Sequence, residues 1–147
     1  MFDHILVPTD GSRLANKAVK AAVKFAASVN ARITFYQAME NNAAMYGVDG
    51  FAIPGDMIVS MEKAVVAAAR SNLDAAVKLA TSKNIQCEAI TGKNAVAWEG
   101  IIATAKKRKC DVIFMASHGR RGIAGVVLGS VTHQVLTHSK IPVVVFR

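Results

Sequence analysis

The stretch from Val112 to Thr132, VIFMASHGRRGIAGVVLGSVT, constrains this chain more than any other. It opens on the apolar run Val112-Ile113-Phe114-Met115-Ala116, the kind of segment a buried parallel strand needs. A polar, glycine-bearing loop follows, Ser117-His118-Gly119-Arg120-Arg121-Gly122, and the stretch closes on Gly129-Ser130, where the serine is expected to cap a short helix. Strand, glycine loop and capped helix together describe a phosphate cradle. N–H groups at a helix start point outward, the dipole there favours negative charge, and glycine admits an anion close to the main chain. The stretch is not a Walker A loop, because no Gly-Lys-Ser/Thr ends it, and it is not the dinucleotide Gly-x-Gly-x-x-Gly.

The rest of the chain alternates strand and helix. His4 to Pro8 reads as a short apolar strand that stops at proline. Asp10 or Ser12 can then cap a helix whose apolar positions Leu14, Ala18, Ala22, Phe25 and Val29 keep helical period. Ala31 to Ala38 is a second strand, β-branched and aromatic. This βαβ unit implies parallel strands with a right-handed crossover. Glu40 to Asp56 carries Asn41-Asn42, three glycines and Pro54, and is expected to be a long loop serving as a lid, a partner contact or a mobile segment. A helix is expected from about Met57 to Ser82, then a strand over Ile85 to Ile90 near the sheet edge, a turn over 91–94 and a helix over Ala95 to Lys107. Ile141 to Phe146 is the last strand, with Pro142 near its start, where a missing N–H is tolerated.

Five strands separated by helices predict a doubly wound α/β sandwich on a parallel sheet. Ligands of such sheets bind beyond the carboxyl ends of the strands, where strand order reverses. With order 3-2-1-4-5 that crevice lies between the first and fourth strands. The loops there are Pro8-Thr9-Asp10-Gly11 and Ala116 to Gly122.

Composition narrows the partners. The excess of eighteen Lys and Arg over ten Asp and Glu, a formal charge of +8, favours anions. Most lysines fall at helical spacing (Lys17, Lys20, Lys24, then Lys63, Lys78, Lys83), which a solvated helix face accounts for. Lys106 to Lys109 end a helix, where cations offset the dipole. Cys87 and Cys110 have no partner at metal-ligand spacing and read as buried reduced thiols. No apolar run approaches membrane-spanning length, and Met1 to Pro8 lacks the features of a secretory signal. A single cytoplasmic domain over 1–147, with no membrane contact, is expected.

At the motif-bearing residues the sequence resembles the universal stress protein family, over essentially its whole length. The family's nucleotide motif is Gly, two residues, Gly, nine residues, Gly-Ser/Thr. Here Ala116-Ser117-His118-Gly119 is followed by nine residues and Gly129-Ser130, so the spacing is kept with Ala116 in place of the first glycine. The start, Ile5 to Ser12, is similar to the family strand that ends in a nucleotide-contacting Asp, and the end, Gly129 to His133 with Ile141-Pro-Val-Val-Val, also fits. The resemblance implies the five-stranded universal stress protein (adenine nucleotide α-hydrolase-like) fold, order 3-2-1-4-5, and a homodimer through the last strand, Ile141 to Phe146. It also implies binding of ATP, or of AMP or ADP, with any Mg²⁺ or Mn²⁺ carried by the nucleotide. By the same resemblance Asp10 and the Pro8-Thr9 backbone face adenine and ribose, Ala38 lies against the base, and Met115 and Ala116 line the ribose. His118, Gly119 and Arg120 border the phosphates, to which Gly129, Ser130, Val131 and Thr132 donate.

Catalysis has thinner support. Gly-x-Ser-x-Gly is absent, so Ser117 or Ser130 with His118 and Asp10 is not read as a hydrolase triad. No evident general base stands beside the cradle, so at most slow hydrolysis is expected. His133 and His138, five apart, are not read as a metal site, and Trp98 is read as packing. One other class stays open: the same fold as a protein- or nucleic-acid-interaction module with weak or no nucleotide binding, a reading that Ala116 keeps alive.

Overall fold

The computed structural model describes residues 2–39, 53–93, 96–120 and 128–147. In chain order these form β1 (His4–Pro8), α1 (Arg13–Val29), β2 (Arg32–Ala38), α2 (Gly55–Thr81), β3 (Cys87–Gly92), α3 (Ala97–Lys107), β4 (Val112–Ala116), α4 (Ser130–His138) and β5 (Val143–Phe146). The strands pair in parallel in the order β3-β2-β1-β4-β5. The doubly wound sandwich anticipated from the sequence is the fold of the protein. Residues 40–52, which hold most of the expected long loop, lie outside the described residues, as do Asn94 and Ala95 and Arg121 and Gly122 of the glycine loop; of the turn expected over 91–94, Thr91 and Gly92 are the end of β3.

β1 and β4 are buried throughout and nearly all of β2 is, whereas β3 and β5 are half-buried, as edge strands are. Strand residues alternate between two cores. Ile5, Val7, Ile33, Phe35, Val112 and Phe114 face α1 and α2, meeting Val19, Val23, Leu73 and Ala76. Leu6, Tyr36, Ile113 and Met115 face α3 and α4, meeting Ile101, Ala105 and Val135. Trp98 packs against this second core and stacks on His138 with ring centroids 4.5 Å apart, a packing role as expected. Cys87 sits by the first core and Cys110 in the second, so the sheet separates two free thiols.

Local chemistry sets the boundaries. Ser12 caps α1 by accepting from the Ala15 N–H at 3.2 Å, and Asn30 ends it in the left-handed region with its N–H on the Ala26 carbonyl. β3 begins later than expected because the Ile85 N–H is held by the Ala80 carbonyl at the end of α2. β5 also begins late: the Ser139 hydroxyl donates to the Ile141 carbonyl and accepts from the Ile141 N–H, curling the chain before Pro142. Only the second half of α2 is anchored, through Ala69, Leu73, Ala76 and Ala80, while Met57, Val59, Met61, Val65 and Val66 in its first half are exposed.

At the amino ends of the strands a polar chain crosses three of them. His4 Nε2 lies 2.7 Å from Thr34 Oγ1, that hydroxyl donates to Glu88 at 2.8 Å, and Glu88 pairs with Arg108 at 3.3 Å. Because Thr34 donates to Glu88, His4 must present Nε2–H, which leaves its buried Nδ1 as an unpaired acceptor. Burial, reinforced by the nearby charge of Arg32, lowers the His4 pKa. Burial likewise raises the Cys110 thiol to about 11.

Candidate functional site

The carboxyl ends of β1 and β4 sit side by side, in register Ile5 with Val112 and Leu6 with Ile113. From β1 the chain turns to α1 over one face of the sheet, and from β4 it leads to α4 over the other. This is the switch point at which open parallel sheets leave a crevice. The Thr9 N–H extends the β1 ladder to the Tyr36 carbonyl at 2.8 Å, and its buried hydroxyl accepts from the Gly11 N–H at 3.3 Å. Gly11 has φ +75°, and a Cβ there would overlap the Asn72 amide, so glycine is required both for conformation and for space. Asn72 donates in turn to Gln37 at 3.3 Å, tying this turn to α2 and β2.

Asp10 joins the two loops. One carboxylate oxygen accepts from the Ser12 N–H at 2.9 Å, and the other accepts from the Arg120 N–H at 2.7 Å. Asp10 is thus no α1 cap; that role belongs to Ser12, and Asp10 orders the turn before it while clamping the β4 loop. Gly119 lies directly beside the clamp, where an added Cβ would collide with Asp10 Oδ2.

The cradle differs from the expectation in one respect. Ser130 does not cap α4; it is the first helical residue, and Gly129 occupies the cap position with no side-chain bond. The reason is proximity. Gly129 N–H donates to the Ser117 carbonyl at 2.7 Å, and a Cβ at 129 would stand 3.0 Å from both His118 Cα and Cβ and 3.2 Å from the Ser117 oxygen. A glycine lets the α4 start approach the β4 loop this closely without crowding, although its φ of −71° is ordinary. Helix geometry then leaves the N–H groups of Ser130, Val131 and Thr132 without an intrahelical acceptor. The buried Thr132 hydroxyl donates to the Ala116 carbonyl at 2.9 Å, so Thr132 has only its N–H to offer. Ala116 itself is regular strand, paired with Phe146, where its Cβ is unstrained. His118 Nδ1 lies 3.1 Å from Ser117 Oγ.

Pro8, Thr9 and Asp10, Met115 and Ala116, His118 to Arg120, and Gly129 to Thr132 therefore meet at one switch point. Ala38 lies one strand away, at the carboxyl end of β2, paired with Gly92. The sequence carried no sign of Asn72 and Gln37, whose contacts are long-range. It also left unremarked a cleft of about 460 Å³ on the α1 side of the β4 loop, lined by Ser12, Arg13, Leu14, Lys17, His118, Gly119 and Arg120. The signal was available: Arg13 and Lys17 are i and i+4 immediately after the α1 cap. A broader groove of about 830 Å³ follows α2 from Val59 to Lys78, but it contains none of the glycines or free N–H groups of the switch point. Among the described residues no three His, Cys, Asp or Glu side chains gather as a metal site, and no helix is long and apolar enough to cross a membrane.

Comparison with known proteins agrees with this geometry. The sequence profile of the universal stress protein family matches residues 1–147. The chain belongs to that family. It is 30% identical to the universal stress protein YxiE of Bacillus subtilis (strain 168), over 100% of both chains. The solved structure of the hypothetical protein MJ0577 superposes with a TM-score of 0.80 at 23% identity, covering 99% of this chain and 95% of that one, a likeness of fold. Some solved relatives of this fold hold nucleotides. One is a universal stress protein from Archaeoglobus fulgidus in complex with dAMP (TM-score 0.66, 14% identity, 100% of this chain and 98% of that one). Another is a family protein from Arabidopsis thaliana with AMP bound (0.70, 13%, 98% and 90%). A third is a universal stress protein in complex with cAMP (0.65, 23%, 99% and 97%).

Proposed function

We propose that this protein binds an adenine nucleotide between β1 and β4 and acts as a cytoplasmic stress-response regulator rather than a dedicated enzyme. The observation that carries the reading is the close backbone contact of Gly129 with Ser117, which brings the start of α4, with three N–H groups that lack an intrahelical acceptor, against the β4 loop that Asp10 clamps. The nucleotides held by structural relatives, dAMP, AMP and cAMP, support the adenine class. Asp10 and the Pro8-Thr9 backbone face adenine and ribose, Ala38 the base, and Met115 and Ala116 the ribose. His118, Gly119 and Arg120 border the phosphates, and Gly129, Ser130, Val131 and Thr132 donate main-chain N–H groups. The glycines fit this use by letting the loops meet, since a Cβ at 119 would collide with Asp10 and one at 129 would crowd His118 and Ser117.

ATP is the preferred occupant, with Mg²⁺ or Mn²⁺ arriving on its phosphates. Both Asp10 oxygens accept from main-chain N–H groups, a use in ordering the two loops that fits binding rather than turnover. β5 pairs with β4 along one edge, and its other edge joins a second copy in a homodimer. Calorimetric titration with AMP, and with ATP plus Mg²⁺, tests the reading. Saturable heat is expected, with a rise in melting temperature corresponding to about 2.7 kcal/mol at a hundredfold excess of ligand over Kd. No heat and no thermal shift with either nucleotide would falsify it and leave the interaction-module reading in its place.

A further inference from the structure

The cleft on the α1 side of the β4 loop has a chemistry of its own. Arg13 and Lys17 come from one turn of α1, and His118 and Arg120 come from the β4 loop. Among the described residues no acidic residue lines it. Among the described residues Arg13, Lys17 and Arg120 have no carboxylate partner, the one ion pair being that of Arg108 with Glu88 at the far end of the sheet. Asp10 accepts from the N–H groups of Ser12 and Arg120 and, among the described residues, forms no ion pair with these side-chain cations. His118 has its Nδ1 beside Ser117, which leaves Nε2 for the cleft. The volume of about 460 Å³ falls within the usual range of small-ligand sites, ~300–1,000 Å³. Gathering like charges from two elements around a shared space is unfavourable without an anion to offset them.

We propose that this cleft is a second phosphate subsite, in which Arg13, Lys17 and Arg120 hold a pyrophosphate-class anion. It lies on the α1 side of the β4 loop, whereas α4 packs on the other face of the sheet. Arginine supplies the planar fork that suits phosphate oxygens, and lysine a movable point charge. The anion has two sources of the same chemistry: the terminal phosphates of a nucleotide seated in the crevice, or free pyrophosphate. The first deepens the nucleotide reading and rests on it; the second stands without it.

Inorganic pyrophosphate titrated at constant ionic strength, followed by calorimetry and amide chemical shifts, tests the subsite. Binding is expected to perturb Arg13, Lys17 and Arg120, and to weaken about tenfold or more in the Arg13→Ala/Lys17→Ala variant. Lys20→Ala/Lys24→Ala, which removes two exposed α1 cations outside the cleft, is expected to bind as the wild type does. Pyrophosphate that competes with ATP but not with AMP assigns the subsite to the nucleotide's terminal phosphates. Pyrophosphate that binds alongside both assigns it to a free anion. Failure of AMP to bind, with pyrophosphate binding still dependent on Arg13 and Lys17, would sink the crevice reading and leave this one intact. Absent pyrophosphate binding, full affinity in the Arg13/Lys17 variant, or equal loss in the Lys20/Lys24 control overturns the subsite.

Discussion

Removing the Asp10 carboxylate should loosen the crevice before it loosens the fold. In Asp10→Ala the N–H groups of Ser12 and Arg120 lose their acceptor at once. A hydrogen bond to a charged group contributes about 1.5–3 kcal/mol, so two would give ~3–6 kcal/mol if both were dry. Asp10 is only half-buried and Arg120 is exposed, so water replaces the lost acceptor and the expected cost falls to about 1–2 kcal/mol. For a domain of this size that is a fall in melting temperature of roughly 2–8 °C. Asp10→Asn keeps one acceptor oxygen and should lie between the variant and the wild type. Thermal denaturation by circular dichroism reads the stability, and amide hydrogen exchange reads the clamp. The Ser12 and Arg120 amides should lose protection, while those of Leu6 and Ile113 in the buried strands keep theirs. An Arg120 amide as protected in Asp10→Ala as in the wild type would show that the clamp does not hold the β4 loop.

Three other perturbations test separate parts of the structure. Gly129→Val brings a Cβ and two methyls against His118 and Ser117, and should cost about 1–3 kcal/mol and at least tenfold in AMP affinity by calorimetry; unchanged affinity would place the phosphates elsewhere. His4 is neutral in both states above pH 6.5. Because its folded pKa is lowered, the unfolded chain takes up the proton first as pH falls below that value, and stability declines by about 1.4 kcal/mol per unit of depression until the folded pKa is passed. Urea denaturation of the wild type and of His4→Gln between pH 7 and 4.5 should differ in slope, and parallel curves would rule His4 out as the cause. Lys109, at φ +56°, carries left-handed strain, so Lys109→Gly should stabilise by about 0.5–1 kcal/mol in the same assay, and a loss would mean that its stem is packed.

The strand ladder was readable because buried parallel strands announce themselves as short apolar runs, and Val112 to Ala116 matched its element residue for residue. The crevice was readable because connectivity alone places the ends of β1 and β4 together. Side-chain contacts between elements distant in the chain were not readable. Nothing near Ser130 reveals that backbone proximity to Ser117 gives the cap position to Gly129, and nothing near Thr132 shows its hydroxyl committed to Ala116. Lys17 reads from the sequence as ordinary helix-face charge, and Arg13 drew no reading, because their partners across the cleft come more than a hundred residues later.

The uneven anchoring of α2 has a consequence for the whole crevice. Twenty-seven residues make a rod of about 40 Å, whereas seven-residue β2 spans only about 23 Å. The helix therefore outruns the sheet and behaves as a beam clamped at one end. The clamped half carries Asn72, the side chain that braces Gly11 behind Asp10. The free half can bend, fray or accept polar residues at Met57, Met61 and Val65 without moving that brace. Changes in α2 should accordingly divide at about Ala69: before it they are felt at the surface, and after it they are felt at Asp10.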